Sequence, residues 1–277
     1  MKIISELCQN HNGNMDLLES MIKSAATHSD ILKIQSIKAD TFTNRQEYEK
    51  FRPFKKEYSR LKKLELSKED EEFFIFKCME YGVDSMTTIF TPRHADYFNE
   101  VGYTNLKLSG YSLPAFDYGK ELKNFNFKKL YFSASSLTLD EISTTIKNLR
   151  ELNIDFCLLG CTCVYPTPLE KANLQNLPFY KFYFNLDEIG YSDHSNPHED
   201  NLLTTKLAIF QGLDVLERHY TILDKDKTRD GKVSINANML NELRRFSKLH
   251  KYEQYNELNK FNDQQIFNHT YYRGRFE

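Results

Sequence analysis

Residues 189–221 read IGYSDHSNPHEDNLLTTKLAIFQGLDVLERHYT. Ile189 to Ser195 and Val215 to Thr221 are short and rich in Ile, Val, Leu, Tyr and Thr, which is the composition of strands. Between them, Glu199 to Gln211 carries a helical pattern. Strand, helix and strand in so short a stretch make a βαβ unit, so the two strands run parallel and the helix covers one face. Both strands also carry residues that prefer water. Ser192 and His194 lie two apart on the first, Glu217 and His219 two apart on the second, so each pair shares a face of its strand.

The same alternation extends back to the N-terminus. Six more strand candidates are Ile3 to Cys8, Ile31 to Ile37, Asp84 to Phe90, Asn105 to Gly110, Lys129 to Ser135 and Asp155 to Cys163. Helix patterns cover Met15 to His28, Ser67 to Tyr81, Leu137 to Leu152 and Asn238 to Leu249, with Asn14 as a cap and Ser67 opening a capping signature. The helices after the third, fourth and sixth strands are harder to read. Eight βα units in 277 residues predict an α/β fold of the (β/α)8 TIM-barrel type. No GxGxxG or GxxxxGK[ST] motif follows any strand, which argues against an open nucleotide-binding sheet. The barrel is expected over residues 1–250, with 251–277 as an irregular tail. Asp40 to Leu66 reads as an insertion on the side where barrel active sites lie.

Composition narrows the function classes. Apolar residues make up 40% of the chain, enough for a full core, and the net charge of −2 gives no reason to expect nucleic acid or a membrane surface. No window approaches a membrane span, and Met1 to Glu6 reads as a strand rather than a signal peptide, so a cytoplasmic protein is expected. Five cysteines and no secretion signal argue against a disulfide framework. Cys161 and Cys163 are too closely spaced for a CxxC motif, and the cysteines are expected to be buried or strand-borne.

Polar residues near the strand ends are the informative pattern. They are Glu6, running into Asn10-His11-Asn12-Gly13; Lys33 and Gln35; Thr87 and Thr88; Lys107 and Ser109; Ser133 and Ser135; Thr162 and Tyr165-Pro166-Thr167-Pro168; Ser192 and His194; Glu217 and His219. Unpaired burial of such groups costs several kcal/mol, so they are expected to converge on a ligand at the carboxyl ends of the strands. Each has a plainer reading. One strand histidine is usually structural, but two on neighbouring strands at matching depth point to a metal, and neutral imidazoles suit Mn, Fe, Co or Zn. Asp193 and Glu217 stand as reserve ligands. Lys33 and Lys107 could be ion-pair partners of Glu6 or Glu217, although inward lysines facing serines suit a phosphate or carboxylate better. Tyr165 to Pro168 could be a rigid turn, and Asn10 to Gly13 a turn and cap.

In this order the motifs resemble the sialic acid synthase family. They are Glu6-Leu7-Cys8-Gln9-Asn10-His11-Asn12-Gly13, Leu32-Lys33-Ile34-Gln35, Leu106-Lys107-Leu108-Ser109-Gly110, Ser133-Ala134-Ser135-Ser136, Cys161-Thr162-Cys163-Val164-Tyr165-Pro166-Thr167-Pro168, Gly190-Tyr191-Ser192-Asp193-His194 and Leu216-Glu217-Arg218-His219-Tyr220-Thr221. The resemblance implies a barrel enzyme that condenses phosphoenolpyruvate with an N-acetylmannosamine-like or diamino aldose. It implies a metal, Mn2+ (or Mg2+ or Co2+), on His194 and His219. It implies substrate contacts at Lys33, Gln35, Lys107, Ser109, Ser133, Ser192 and Asp230, and catalytic roles for Glu6, Tyr165 and His219. It also implies a homodimer in which a small antifreeze-like C-terminal domain supplies an arginine to the partner's amino sugar. These 277 residues are not expected to hold that domain. Ser112, Ser133 to Ser136 and Gly160 depart from the family pattern, so the acceptor-sugar side is expected to be altered. Two other readings are a metal-dependent aldolase or sugar isomerase, and a non-catalytic sugar-binding barrel.

Overall fold

A computed structural model describes residues 1–42, 46, 49–50, 53–115, 117, 121–122, 126–254 and 263–275, with backbone alone at 250–254. Eight parallel strands close into a barrel in chain order: β1 Lys2–Cys8, β2 Ile31–Ile34, β3 Asp84–Ile89, β4 Asn105–Leu108, β5 Lys129–Ser133, β6 Phe156–Cys161, β7 Ile189–Asp193 and β8 Val215–His219. The helices outside are α1 Met15–Ala26, α2 Phe54–Leu64, α3 Lys68–Glu80, α4 Ala95–Val101, α5 Leu139–Glu151, α6 Asn176–Tyr183, α7 Pro197–Asp200, α8 Leu203–Phe210 and α9 Ala237–Gln254, followed by α10 Asp263–Tyr271. The TIM-barrel expectation is borne out.

Helix starts follow side-chain chemistry. Asn14 accepts from the N–H of Leu17 ahead of α1. Ser67 and Asp70 open α3, and Thr138 and Glu141 open α5, each through a reciprocal capping box. Strand ends were expected later than they fall, and one local device explains two of them. Ser133 accepts from the N–H of Ser135 (3.1 Å) at the end of β5, and Asp193 from that of Ser195 (2.8 Å) at the end of β7. In each case a side chain captures the backbone donor two residues on, and the chain leaves the ladder despite its strand-like composition.

The lumen is filled at two levels. Ile4, Ile31, Met86, Tyr131, Cys157, Leu159 and Val215 form a buried apolar plug. Gly190 lets it close, because a Cβ there would come within 2.3 Å of the Leu159 side chain. Two residues further along the strands, the inward positions turn polar and form the floor of the site.

The segment from Asp40 to Leu66 lies at the carboxyl ends, as expected. Its helix α2 bridges the loops after β1 and β8, since Arg60 donates to Gln9 (2.7 Å) and Arg229 meets Glu57 (3.2 Å). Gly13, at φ 76°, packs so close beneath it that a Cβ would lie 2.5 Å from the Lys63 carbonyl oxygen. Residues 43–45, 47–48 and 51–52 of the segment fall outside the described residues. Two expectations need correction. The supposed boundary at 250/251 falls inside α9, and residues 263–271 are helical rather than irregular, with every residue exposed. Cys8, Cys78 and Cys157 are buried and no cysteine is bridged, but Cys163 is exposed in the loop beyond β6.

Candidate active site

Register sets the floor. Glu6 pairs with Lys33 on one side and His219 on the other, Thr88 pairs with Lys107, and Ser192 with Glu217. These residues therefore meet at one depth inside the barrel. Lys33 donates to Glu6 and to Thr88 (3.2 Å) and lies 3.5 Å from Glu217 Oε2. Lys107 donates to Glu217 Oε1, which also accepts from Ser192 (2.8 Å). Gln35 reaches Glu6 Oε2 at 3.5 Å. The side chains of Glu6, Lys33, Lys107 and Glu217 are at most 8% exposed. Burial works against the Glu217 charge, but Lys107 and Lys33 outweigh it and hold the carboxyl well below its usual range. Burial likewise opposes the Lys33 ammonium, and Glu217 with Glu6 outweighs it. The plain ion-pair reading of the lysines therefore holds, and it does not compete with a substrate site. Both ammoniums converge on one carboxylate, as they would on any bidentate anion.

Beside this lattice stands a histidine cluster. His194 and His219 are both buried, with ring centroids 5.3 Å apart. His194 Nδ1 faces the Thr162 carbonyl (3.2 Å), and its Nε2 faces the Tyr165 hydroxyl (3.0 Å). Donation from Nδ1 to that carbonyl leaves the Nε2 lone pair facing outward, as a metal ligand requires. His219 Nδ1 is buried with no hydrogen-bond partner. It lies 3.8 Å from Asp230 Oδ2, and the same oxygen accepts from the Cys8 thiol (2.8 Å). Burial lowers the pKa of both imidazoles; His219 and Lys107 add to this at His194, while Asp230 opposes it at His219. Burial, Asp230 and Glu6 push the Cys8 thiol well above its usual value. Neutral imidazoles with an open nitrogen, next to a thiol and a carboxylate, fit a divalent cation.

Residues 21–256 match the sequence profile of the NeuB family. The chain belongs to the NeuB family. One relative, the N,N'-diacetyllegionaminic acid synthase of Legionella pneumophila, is 30% identical over 83% of this chain and 65% of its own length. The enzyme of the same name from Campylobacter jejuni is 31% identical over 87% of this chain and 73% of its own. This NeuB chain thus spans about two thirds of the length of such relatives. In fold it is similar to the N-acetylneuraminic acid synthetase of Leptospira borgpetersenii serovar Hardjo-bovis, with a TM-score of 0.84 at 21% identity, covering 99% of this chain and 92% of that one.

The remaining expected residues of this NeuB chain are more scattered. Ser109 meets Ser112 (2.8 Å) at the mouth, and Ser133 is engaged by the N–H of Ser135. Tyr165 follows β6 with its ring half exposed over His194. Gly160 does not face the lumen as expected: a Cβ there would strike Leu177 of α6, 2.4 Å away, so it packs on the outer face. Asp193 also points outward, where it pairs with the buried Arg218 (2.8 Å), so it is no reserve ligand. Glu217 is held by lysines and serine. Arg218 further donates to the Ser195 and Val233 carbonyls (3.2 Å each), tying together the loops beyond β7 and β8. Two useful residues were missed. Asn10 donates to the Tyr220 carbonyl (2.9 Å) and accepts from Thr228, which latches the first loop to the last. Cys8 reads in sequence as a small core residue, and its only signal was its place beside Glu6.

Proposed function

We propose that this chain condenses phosphoenolpyruvate with an aldose and water to give a sialic acid-type nonulosonic acid and phosphate. The observation that carries the reading is the convergence of Lys33 and Lys107, from β2 and β4, on the two oxygens of one buried carboxylate beside a neutral histidine pair. Membership of the NeuB family supports it. So do the names of relatives, among them legionaminic, pseudaminic and N-acetylneuraminate-9-phosphate synthases. Those names favour an acetamido aldose as the acceptor, of the N-acetylmannosamine or diamino type. The cytoplasm, where phosphoenolpyruvate is made, is the proposed location.

The lysines would bind the phosphate and carboxylate of phosphoenolpyruvate, with Gln35, Ser109, Ser133 and Ser192 supplying neutral donors. Glu6 positions Lys33 and is the nearest base to it. Carbon 3 of phosphoenolpyruvate attacks the aldehyde carbon, water adds at carbon 2, and phosphate departs with its bridging oxygen. His194 and His219 would hold Mn2+ or a similar cation, which when bound supplies polarisation of the aldehyde oxygen. Tyr165 and Asp230 flank that position and would orient the sugar. The test is phosphate release from phosphoenolpyruvate with Mn2+ and a panel of acetamido aldoses. Release that needs both the sugar and Lys107 is expected; no release with any sugar overturns the proposal.

A further inference from the structure

Three donor atoms of different chemistry meet where the first and last strands join. Cys8 Sγ, a ring nitrogen of His219 and an Asp230 carboxylate oxygen all lie within 4.8 Å of one another. The thiol is 2.8 Å and His219 Nδ1 3.8 Å from the same Asp230 Oδ2. An independent observation marks the place as a ligand site. His219 is 3% exposed, and its Nδ1 is buried without a hydrogen-bond partner, although a nitrogen so placed is normally satisfied. Cys8 is also held in an unusual way. Its φ of 52° lies in the left-handed region, where glycine sits at ease and a larger residue is strained. The β1 ladder shifts register between Glu6 and Cys8, and Glu6 captures the Cys8 N–H. The bend turns the thiol toward Asp230.

We infer that Cys8, His219 and Asp230 together form a three-ligand site for a thiophilic first-row cation, Zn2+ or Fe2+ ahead of Mn2+ and Mg2+. The inference rests on the proposed function only in placing a cation at His219; Cys8 and Asp230, rather than His194, are its other protein ligands. One sulfur, one nitrogen and one oxygen donor form a borderline-soft set, and thiolate selects against the hard cations that carboxylate and water ligands suit. Three protein ligands with an open fourth position match the pattern of catalytic zinc sites, in which the last place is left for water or substrate. On loading, the S–H bond of Cys8 breaks, its proton passes to solvent, and a sulfur–metal bond takes its place.

Cobalt reports on sulfur ligation directly. The full chain, stripped with a chelator and titrated with Co2+, is expected to show a sulfur-to-cobalt charge-transfer absorption in the near ultraviolet. Cys8→Gly is the suitable variant, because it relieves the left-handed backbone and keeps the fold. It should abolish that absorption and weaken Zn2+ binding by about 100-fold or more, since losing a direct ligand should cost at least as much as losing a residue that merely supports one. Mn2+ binding should fall far less. Co2+ binding without the absorption, or an absorption that survives Cys8→Gly, overturns the inference. If binding in that case still depends on His194 and His219, the two-histidine reading stands alone. A wild-type chain that binds no cation overturns both.

Discussion

The polar floor of this barrel has two neighbouring regions built on opposite principles. In the lattice of Glu6, Lys33, Lys107, Glu217 and Ser192, folding has matched each charge with a partner of opposite sign. In the cluster of Cys8, His194, His219 and Asp230, the imidazoles are held neutral and one buried nitrogen has no hydrogen bond. Every charge in the lattice has a counter-charge, even Glu217 Oε2, which makes no hydrogen bond but lies 3.5 Å from the Lys33 ammonium, whereas the open atom of the cluster is a neutral nitrogen. The first can position an anion by exchange of partners, and the second has valence left for a cation.

The largest effect should come from opening the lattice. Glu217→Gln leaves Lys107 buried without its carboxylate and should cost about 3–5 kcal/mol in urea unfolding. A loss below about 1 kcal/mol, the worth of a surface pair, would mean that the lattice is solvated and the contrast false. Lys107→Ala should next lower kcat/KM for phosphoenolpyruvate by about 10²–10³ while leaving the chain folded, the scale of losing one positioned electrostatic contact. An equal loss of thermal stability and activity would make that lysine structural only.

Acid should reach the loop after β1 before it reaches the lattice. His11, fully buried in the loop after β1, has its pKa pushed down from 6.5 to about 4 by burial, against the pull of Asp70. The unfolded chain therefore binds a proton that the folded chain refuses between those values. His11 thus favours folding above pH 6.5, and that contribution is lost as the pH falls toward 4, by about 3 kcal/mol in all. His11→Gln should flatten the urea midpoint across that window. Glu217, whose pKa is depressed below the carboxylate range, gives its stability up only at lower pH. The smallest effect is expected from Tyr165→Phe. It removes one hydrogen bond to His194 and should cost about 1 kcal/mol in thermal unfolding.

The barrel itself was legible because each strand keeps a short apolar period and long helices carry their caps in sequence, as at Asn14 and Ser67. The floor was legible because Lys33, Lys107, Glu217 and His219 are costly residues in strands and have few reasons to be there. What escaped depends on direction and distance. Asp193 and His194 are adjacent, yet one faces Arg218 outside the barrel and the other faces Tyr165 at its mouth. A one-residue error in where β7 ends would exchange them. Gly160 was assigned to the acceptor side from the family pattern alone, which does not tell which face of β6 it lies on. Cys8 escaped because its neighbour Asp230 is remote in sequence and because composition alone treats a lone thiol as apolar filling. The ends of β5 and β7 escaped because one side-chain hydrogen bond at each overrides the propensity of the residues that follow it.

The seam where β1 meets β8 has a consequence for biosynthesis. Cys8 and Asp230 are 222 residues apart in the chain, and Glu6 finds His219 across the same seam. At about 5–20 residues per second, roughly 10–45 s separate the emergence of one side from that of the other. Until the last strand arrives, the first presents an open edge and only the Cys8 side of the cluster. A nascent chain therefore lacks the assembled cluster, and any cation that the cluster takes can be selected only by the finished barrel.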